Sequence, residues 1–115
     1  MANIKIDNYV TLHQGITSEE GEPIYALIVD ALSKNEEVIL NFEDITFLTT
    51  AFLNVIIGAL YKDYTSEQLQ AKLHIENINA ETATRIKKVT DNAKLFYSDE
   101  AKFNETVDKV VYGNV

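Results

Sequence analysis

The chain has 115 residues, with 10 Lys and Arg against 18 Asp and Glu, a net charge of −8, and neither Cys nor Trp. That length fits one domain, residues 1–115, burying roughly two-thirds of its unfolded surface. The mix of apolar and charged residues excludes disordered and fibrous classes. Without Cys there are no disulfides, thiolate metal sites or thiol catalysis. The acidic balance argues against nucleic acid, since only Arg85, Lys87 and Lys88 lie close together. The longest apolar run, residues 55–60, is far short of the ~20 needed to cross a bilayer. The opening Met-Ala-Asn-Ile-Lys-Ile-Asp lacks the regions of a secretion signal, so a cytoplasmic location is expected.

Ile4, Ile6, Val10 and Leu12 put apolar residues on even positions, the period of a strand with one buried face. A two-residue turn at Asp7-Asn8 would split that pattern between faces, so one bent strand or a longer-looped hairpin is expected. Residues 15–21 read as a polar loop. Pro23 then suits the first turn of a helix, with Glu19, Glu20 and Glu22 near its positive end. Ile24, Leu27, Ile28, Ala31 and Leu32 form its apolar stripe, and Lys34-Asn35 ends it.

Residues 38–42, Val-Ile-Leu-Asn-Phe, read as a central strand covered on both sides. Glu43-Asp44 turns the chain, and residues 45–48 return to extended conformation. Thr49 or Thr50 caps the next helix, whose stripe is Leu53, Ile56, Ile57, Leu60 and Tyr64. Ser66 starts a short helical turn and residues 73–76 read as a strand. Asn79 caps a helix with Ile86, Val89, Ala93 and Phe96 as its stripe. Ser98 or Asp99 caps a last helix carrying Phe103, Val107, Val110 and Val111, which Gly113 stops. Strands alternating with helices imply right-handed crossovers and an α/β fold, with a mixed sheet of about four strands and about four helices.

No catalytic set stands out. His13 and His74 are far apart in sequence and begin no metal-binding pattern, so no metal or cofactor is expected. His74 reads as a solvated or edge histidine. Four scattered glycines build no phosphate cradle, and the pairs among Glu19, Glu20, Glu22, Glu36 and Glu37 read as dipole partners and solubilising surface. The chain is therefore read as a non-enzyme. Arg85, Lys87 and Lys88 read as a solvated helix face that could also meet an acidic partner. Tyr61 and Tyr64 flank one helix end, either as rims of the core or as an interface.

One segment stands apart. Residues 41–54, Asn-Phe-Glu-Asp-Ile-Thr-Phe-Leu-Thr-Thr-Ala-Phe-Leu-Asn, run from a strand through a turn into a helix start with adjacent hydroxyls. Such a helix start suits plain capping by Thr, an anion, or a phosphorylated hydroxyl. The segment, followed by Gly58, resembles the strand-turn-helix of the STAS-like domain family of unknown function, itself related in fold to anti-sigma-factor antagonists. The resemblance extends over residues 20–97. It implies a regulatory, protein-binding role with a histidine-kinase-like ATPase or other anti-sigma-type regulator as partner. In the antagonists a serine at the position of Ala51 is phosphorylated. Ala51 has no hydroxyl, so the usual switch does not carry over, and Asn41 stands where an Asp is usual. The implied partner-binding or phospho-site region is Thr49, Thr50, Phe52 and Asn54. Two other readings stand beside it: a small-ligand or nucleotide sensor, and a homodimer built on Tyr61 and Tyr64 or on the stripe from Phe103 to Val111.

Overall fold

A computed structural model describes residues 1–106. Their order is β1 (Ala2–Lys5), a 3-10 turn (Ile6–Tyr9), β2 (Gln14–Gly15), α1 (Ser18–Ser33), β3 (Val38–Asn41), β4 (Phe47–Leu48), α2 (Thr50–Ile56), a second 3-10 turn (Gly58–Lys62), α3 (Ser66–Lys72), β5 (Leu73–Glu76) and α4 (Ala80–Thr106). β1, β3 and β5 make one parallel sheet with β3 in the middle, and β2 and β4 make a separate parallel pair.

The α/β class and four helices hold among the described residues, but the mixed four-stranded sheet does not: the main sheet has three strands, all parallel. The difference begins at Ile6. Its side chain is buried as the alternation requires, but its backbone has entered a 3-10 turn. Leu12 and His13 then take φ values of 56° and 58°, and Gln14 N–H donates to the Thr11 carbonyl at 3.1 Å. Positive φ at both central residues matches a type I′ reversal, which sends the chain into the second sheet. Of the four even positions Ile4 and Ile6 are buried and Val10 partly so, while Leu12 is exposed beyond the strand.

Register decides which side chains meet the core. Ala2, Val38 and Leu73 lie side by side, as do Ile4, Leu40 and Ile75, and these six form the inner face. Asn3, Ile39 and His74, then Lys5, Asn41 and Glu76, form the outer one. β3 is central as expected, but among the described residues it is covered on one side only. Ile39 takes no part in the hydrophobic core. The core lies between the inner face and α1, α2 and α4, around Ile24, Ile28, Phe52, Leu53, Ile56, Ile57, Leu60 and Val89. Each such side chain contributes about 1.5–3 kcal/mol by leaving water.

α1 starts five residues ahead of Pro23 and absorbs much of the expected loop. A capping box explains this: Thr17 Oγ1 accepts from Glu20 N–H at 3.2 Å, and Glu20 Oε1 accepts from Thr17 N–H at 3.1 Å. Pro23 therefore sits inside the helix, where the reciprocal cap offsets its missing N–H. At the other end Glu36 N–H reaches the Ala31 carbonyl and Asn35 N–H that of Leu32, the paired bonds of a Schellman stop with Asn35 at φ 61°.

α2 ends at Ile56 rather than near Tyr64, giving way to the 3-10 turn at Gly58, the residue with the weakest helix propensity in that run. Asn79 caps α4 as expected, accepting from Thr82 N–H at 2.8 Å. No second cap acts at Ser98 or Asp99: α4 runs through to Thr106, because residues 80–106 contain no Gly or Pro to stop it. Val107, Val110, Val111 and Gly113 lie outside the described residues.

Two measurements test these ends. In urea titrations Asn35→Gly is expected to raise the unfolding free energy by a few tenths of a kcal/mol, and Asn35→Val to lower it by about 1 kcal/mol, because only glycine takes positive φ without strain. The Thr17 and Ile16 backbone N–H groups hold the Glu20 carboxyl below its ordinary 4.5. A lowered folded-state value means stability that is present above 4.5 and lost as pH falls through the folded-state value. Glu20→Ala should therefore cost about 0.5–1 kcal/mol at neutral pH, with the gap to the parent closing under acid and Glu20→Gln retaining most of the cap.

Candidate functional site

The segment from β3 to α2 is built by a chain of short polar contacts. Asn41 Oδ1 accepts from Glu43 N–H at 2.9 Å and from Asn77 Nδ2 at 2.7 Å, so one side chain bends the exit of β3 and ties it to the exit of β5. Asp44 completes the bend at φ 69°, and Ile45 N–H returns to the Phe42 carbonyl. Thr46 then donates from both its N–H, at 2.8 Å, and its hydroxyl, at 3.2 Å, to the His13 carbonyl. These bonds fasten β4 beside β2, with Gln14 opposite Phe47 and Gly15 opposite Leu48.

Thr49 is the cap of α2: its hydroxyl oxygen accepts from Phe52 N–H at 3.1 Å and its hydroxyl proton goes to the Ile16 carbonyl. Thr49 N–H meanwhile donates to the Gly15 carbonyl at 2.9 Å. Its half-buried side chain is thus spent on joining α2 to β2. Thr50 and Asn54, one helical turn apart, are exposed on the same side of α2, and Ala51 is exposed between them. Phe52, expected among the surface residues, belongs to the core at 0% exposure. Its ring fills the space above Gly15, where an added Cβ would come within 2.7 Å of it. The helix period sends Phe52 and Leu53 inward, which removes Phe52 from any partner surface.

The structure adds residues that motif reading passed over. Leu12 is 79% exposed on the left-handed turn before β2, Phe47 is 48% exposed on β4, and Ile16 is exposed beside Thr49. His13, the other left-handed residue, is held by Asp7, whose carboxylate lies 2.8 Å from Nδ1. Arg85 reaches across from α4: Nη1 donates to the Leu48 carbonyl at 2.6 Å and the guanidinium sits 6.0 Å from the centre of the Phe47 ring. The basic trio is thereby divided, with Lys87 paired to Asp91 at 2.8 Å and Lys88 exposed. Only the even-position run hinted at Leu12, and that run suggested burial. Its exposure comes from the reversal at residues 11–14.

Tyr61 and Tyr64 lie elsewhere, past the far end of α2. With Tyr97, Leu95, Asp91 and Lys94 they line an open groove of about 690 Å³ against α4. Burial pushes the Tyr61 hydroxyl up, with the Asp91 charge adding to it, while a hydrogen bond from Lys87 holds Asp91 itself below the ordinary carboxylate value. His74 stands on the edge strand β5 with Nε2 2.7 Å from Glu37 Oε1. Among the described residues no three His, Cys, Asp or Glu side chains group as metal ligands, and no helix is long and apolar enough to cross a membrane.

Because Gly15 carries the joint between β2 and α2, Gly15→Ala is expected to cost about 1–3 kcal/mol by overpacking against Phe52 and Leu48. A urea titration beside the control Ala51→Ser, which adds only a hydroxyl to an exposed site, reads the difference.

No curated protein and no solved structure matches the chain. A family model described as a STAS-like domain of unknown function (DUF4325) matches residues 20–83. The match takes in α1, β3, the bend, β4, α2, α3, β5 and the start of α4, and stops short of the stretch to residue 97 where the resemblance was expected to reach. With 64 of its 115 residues covered, including the whole strand-turn-helix from Asn41 to Asn54, the chain belongs to the STAS-like domain family of unknown function.

Proposed function

We propose that this STAS-like chain is a non-enzymatic regulatory module that binds another protein where β2, β4 and the start of α2 meet. The observation that carries the reading is that Leu12, Ile16 and Phe47 are all exposed on the segments that the β2–β4 pairing and the Thr49–Ile16 bond join to the start of α2, where Thr50 and Asn54 are exposed as well. A buried Leu or Phe is worth about 1.5–3 kcal/mol, so three such side chains in water leave enough unused free energy for a specific contact. Leu12 adds to this: a non-glycine residue at positive φ carries a cost of about 1–2 kcal/mol, and its side chain makes no core contact in return. Strain kept at an exposed apolar tip fits a binding loop.

The resemblance to anti-sigma-factor antagonists supports a histidine-kinase-like ATPase or an anti-sigma-type regulator as the partner. Thr50 is the hydroxyl available for a charge switch at this surface, because Thr49 is committed as the cap and Ala51 has none. Binding and regulation then rest on shape and charge, and no catalytic group is needed. A cytoplasmic setting suits such a partner.

A second reading, a small-ligand sensor, draws on the tyrosine-lined groove, whose size falls in the range of ligand pockets. The start of α2 lends it nothing, since that helix has seven residues and spends the Phe52 N–H on Thr49.

Calorimetric titration against a histidine-kinase-like ATPase from the same cell tests the main reading. Leu12→Asp and Phe47→Asp are each expected to weaken binding at least about tenfold, equivalent to about 1.4 kcal/mol, and Thr50→Glu to weaken it as well. Tyr61→Ala should leave the affinity unchanged. Equal affinity for the parent and the two Asp variants would remove the proposed surface.

A further inference from the structure

Parallel sheets are built with helices on both faces, because crossovers ordinarily place them there. Here the strands run β1, β3, β5 in one direction across the sheet. Each crossover is right-handed by the general rule, and two right-handed crossovers in the same direction put their helices on the same side. α1, between β1 and β3, and α2 with α3, between β3 and β5, therefore share the inner face. The outer face carries Asn3, Lys5, Ile39, Asn41, His74 and Glu76 in register, with Asn3 and Glu76 exposed and Ile39 outside the core.

The charges on that face are lopsided. Lys5 Nζ lies 3.7 Å from Glu43 and 3.5 Å from Asp44, so one ammonium serves two carboxylates at the upper end. Glu37 approaches from the lower end to meet His74, and Glu76 stands exposed beside Asn41. Four carboxylates thus stand around Lys5 and a central isoleucine, while Lys72, at the lower end, donates to the Asn35 carbonyl at 3.3 Å. Three strands span roughly the 10 Å width of one helix, and four residues per strand run about 13 Å, the length of about nine helical residues.

We propose that this bare sheet face docks a basic amphipathic helix of a partner protein, an apolar residue seated on Ile39 and Lys or Arg side chains on Glu37, Glu43, Asp44 and Glu76. A second copy in the same pose would set four carboxylates against four and is disfavoured by charge. The face lies on the opposite side of the sheet from α2, and its central residues Asn3, Ile39 and His74 are distinct from Leu12 and Phe47.

The test is an amide NMR titration of the full chain with a synthetic helical peptide of about 14 residues, a leucine stripe flanked by lysines. Its counterpart has glutamates for the lysines. The lysine peptide is expected to shift the amides of Asn3, Ile39 and His74, and to lose affinity at least about fivefold as salt rises from about 0.05 to 0.5 M. The double variant Glu37→Lys, Glu76→Lys, at two exposed positions, should lose a similar factor, while Leu12→Asp should leave this titration unchanged. Equal binding of the two peptides, shifts that avoid the sheet, no binding near millimolar peptide, or an unaffected double variant would each overturn the proposal. Concentration-dependent shifts of the same amides without peptide would overturn it in favour of self-association.

Discussion

The handedness of two crossovers governs this fold. β1, β3 and β5 advance in one direction, so right-handed connections leave α1, α2 and α3 on one side, and among the described residues the core is single-sided. The inner residues Ile4, Val38 and Leu40 are buried against α1, α2 and α4, while their neighbours along each strand face away. A chain of this length can enclose one such core and no more. The geometry leaves two kinds of surface: the bare back of the sheet, and the end of the strands where the chain turns into α2.

At that strand end, a small set of polar contacts sets the position of everything exposed. Asn41 bends the chain out of β3, Thr46 and Thr49 bind it to the strand at Gln14–Gly15, and Arg85 holds the Leu48 carbonyl from the other side. The same contacts that bury Phe52 over Gly15 push Phe47 outward, because successive strand residues point to opposite faces. The acidic outer face has a different chemistry, and the two surfaces need not serve the same partner.

Much of the helical pattern was readable from residue order. The stripe at Ile24, Ile28 and Ala31, the central strand at Val38–Asn41, the caps at Thr49 and Asn79, and the hydroxyl-rich helix start all stand where spacing puts them. The differences have separate causes, one local and one tertiary. Pro23 drew the helix start forward because the reciprocal Thr17–Glu20 bonds were not weighed against it. The resemblance places Phe52 in the partner-binding region, but it packs against Gly15 on the same buried side of α2 as Leu53 and Ile56.

What the amino-acid order determined by itself was therefore local: helix faces, caps, the acidic charge, the lack of thiol chemistry and the family segment from Asn41 to Asn54. Nearest-neighbour physics is enough for these, since hydrophobic period and side-chain to backbone bonds act over a few residues. The tertiary structure alone decided that the main sheet has three strands, that Val10 and Leu12 leave it through a left-handed turn, that Ile39 looks out from the core, and that Leu12, Ile16 and Phe47 are exposed. Those outcomes depend on contacts between residues more than thirty positions apart, such as Thr46 with His13 and Arg85 with Leu48. No local pattern encodes them, because their free energy is realised only when the whole core closes.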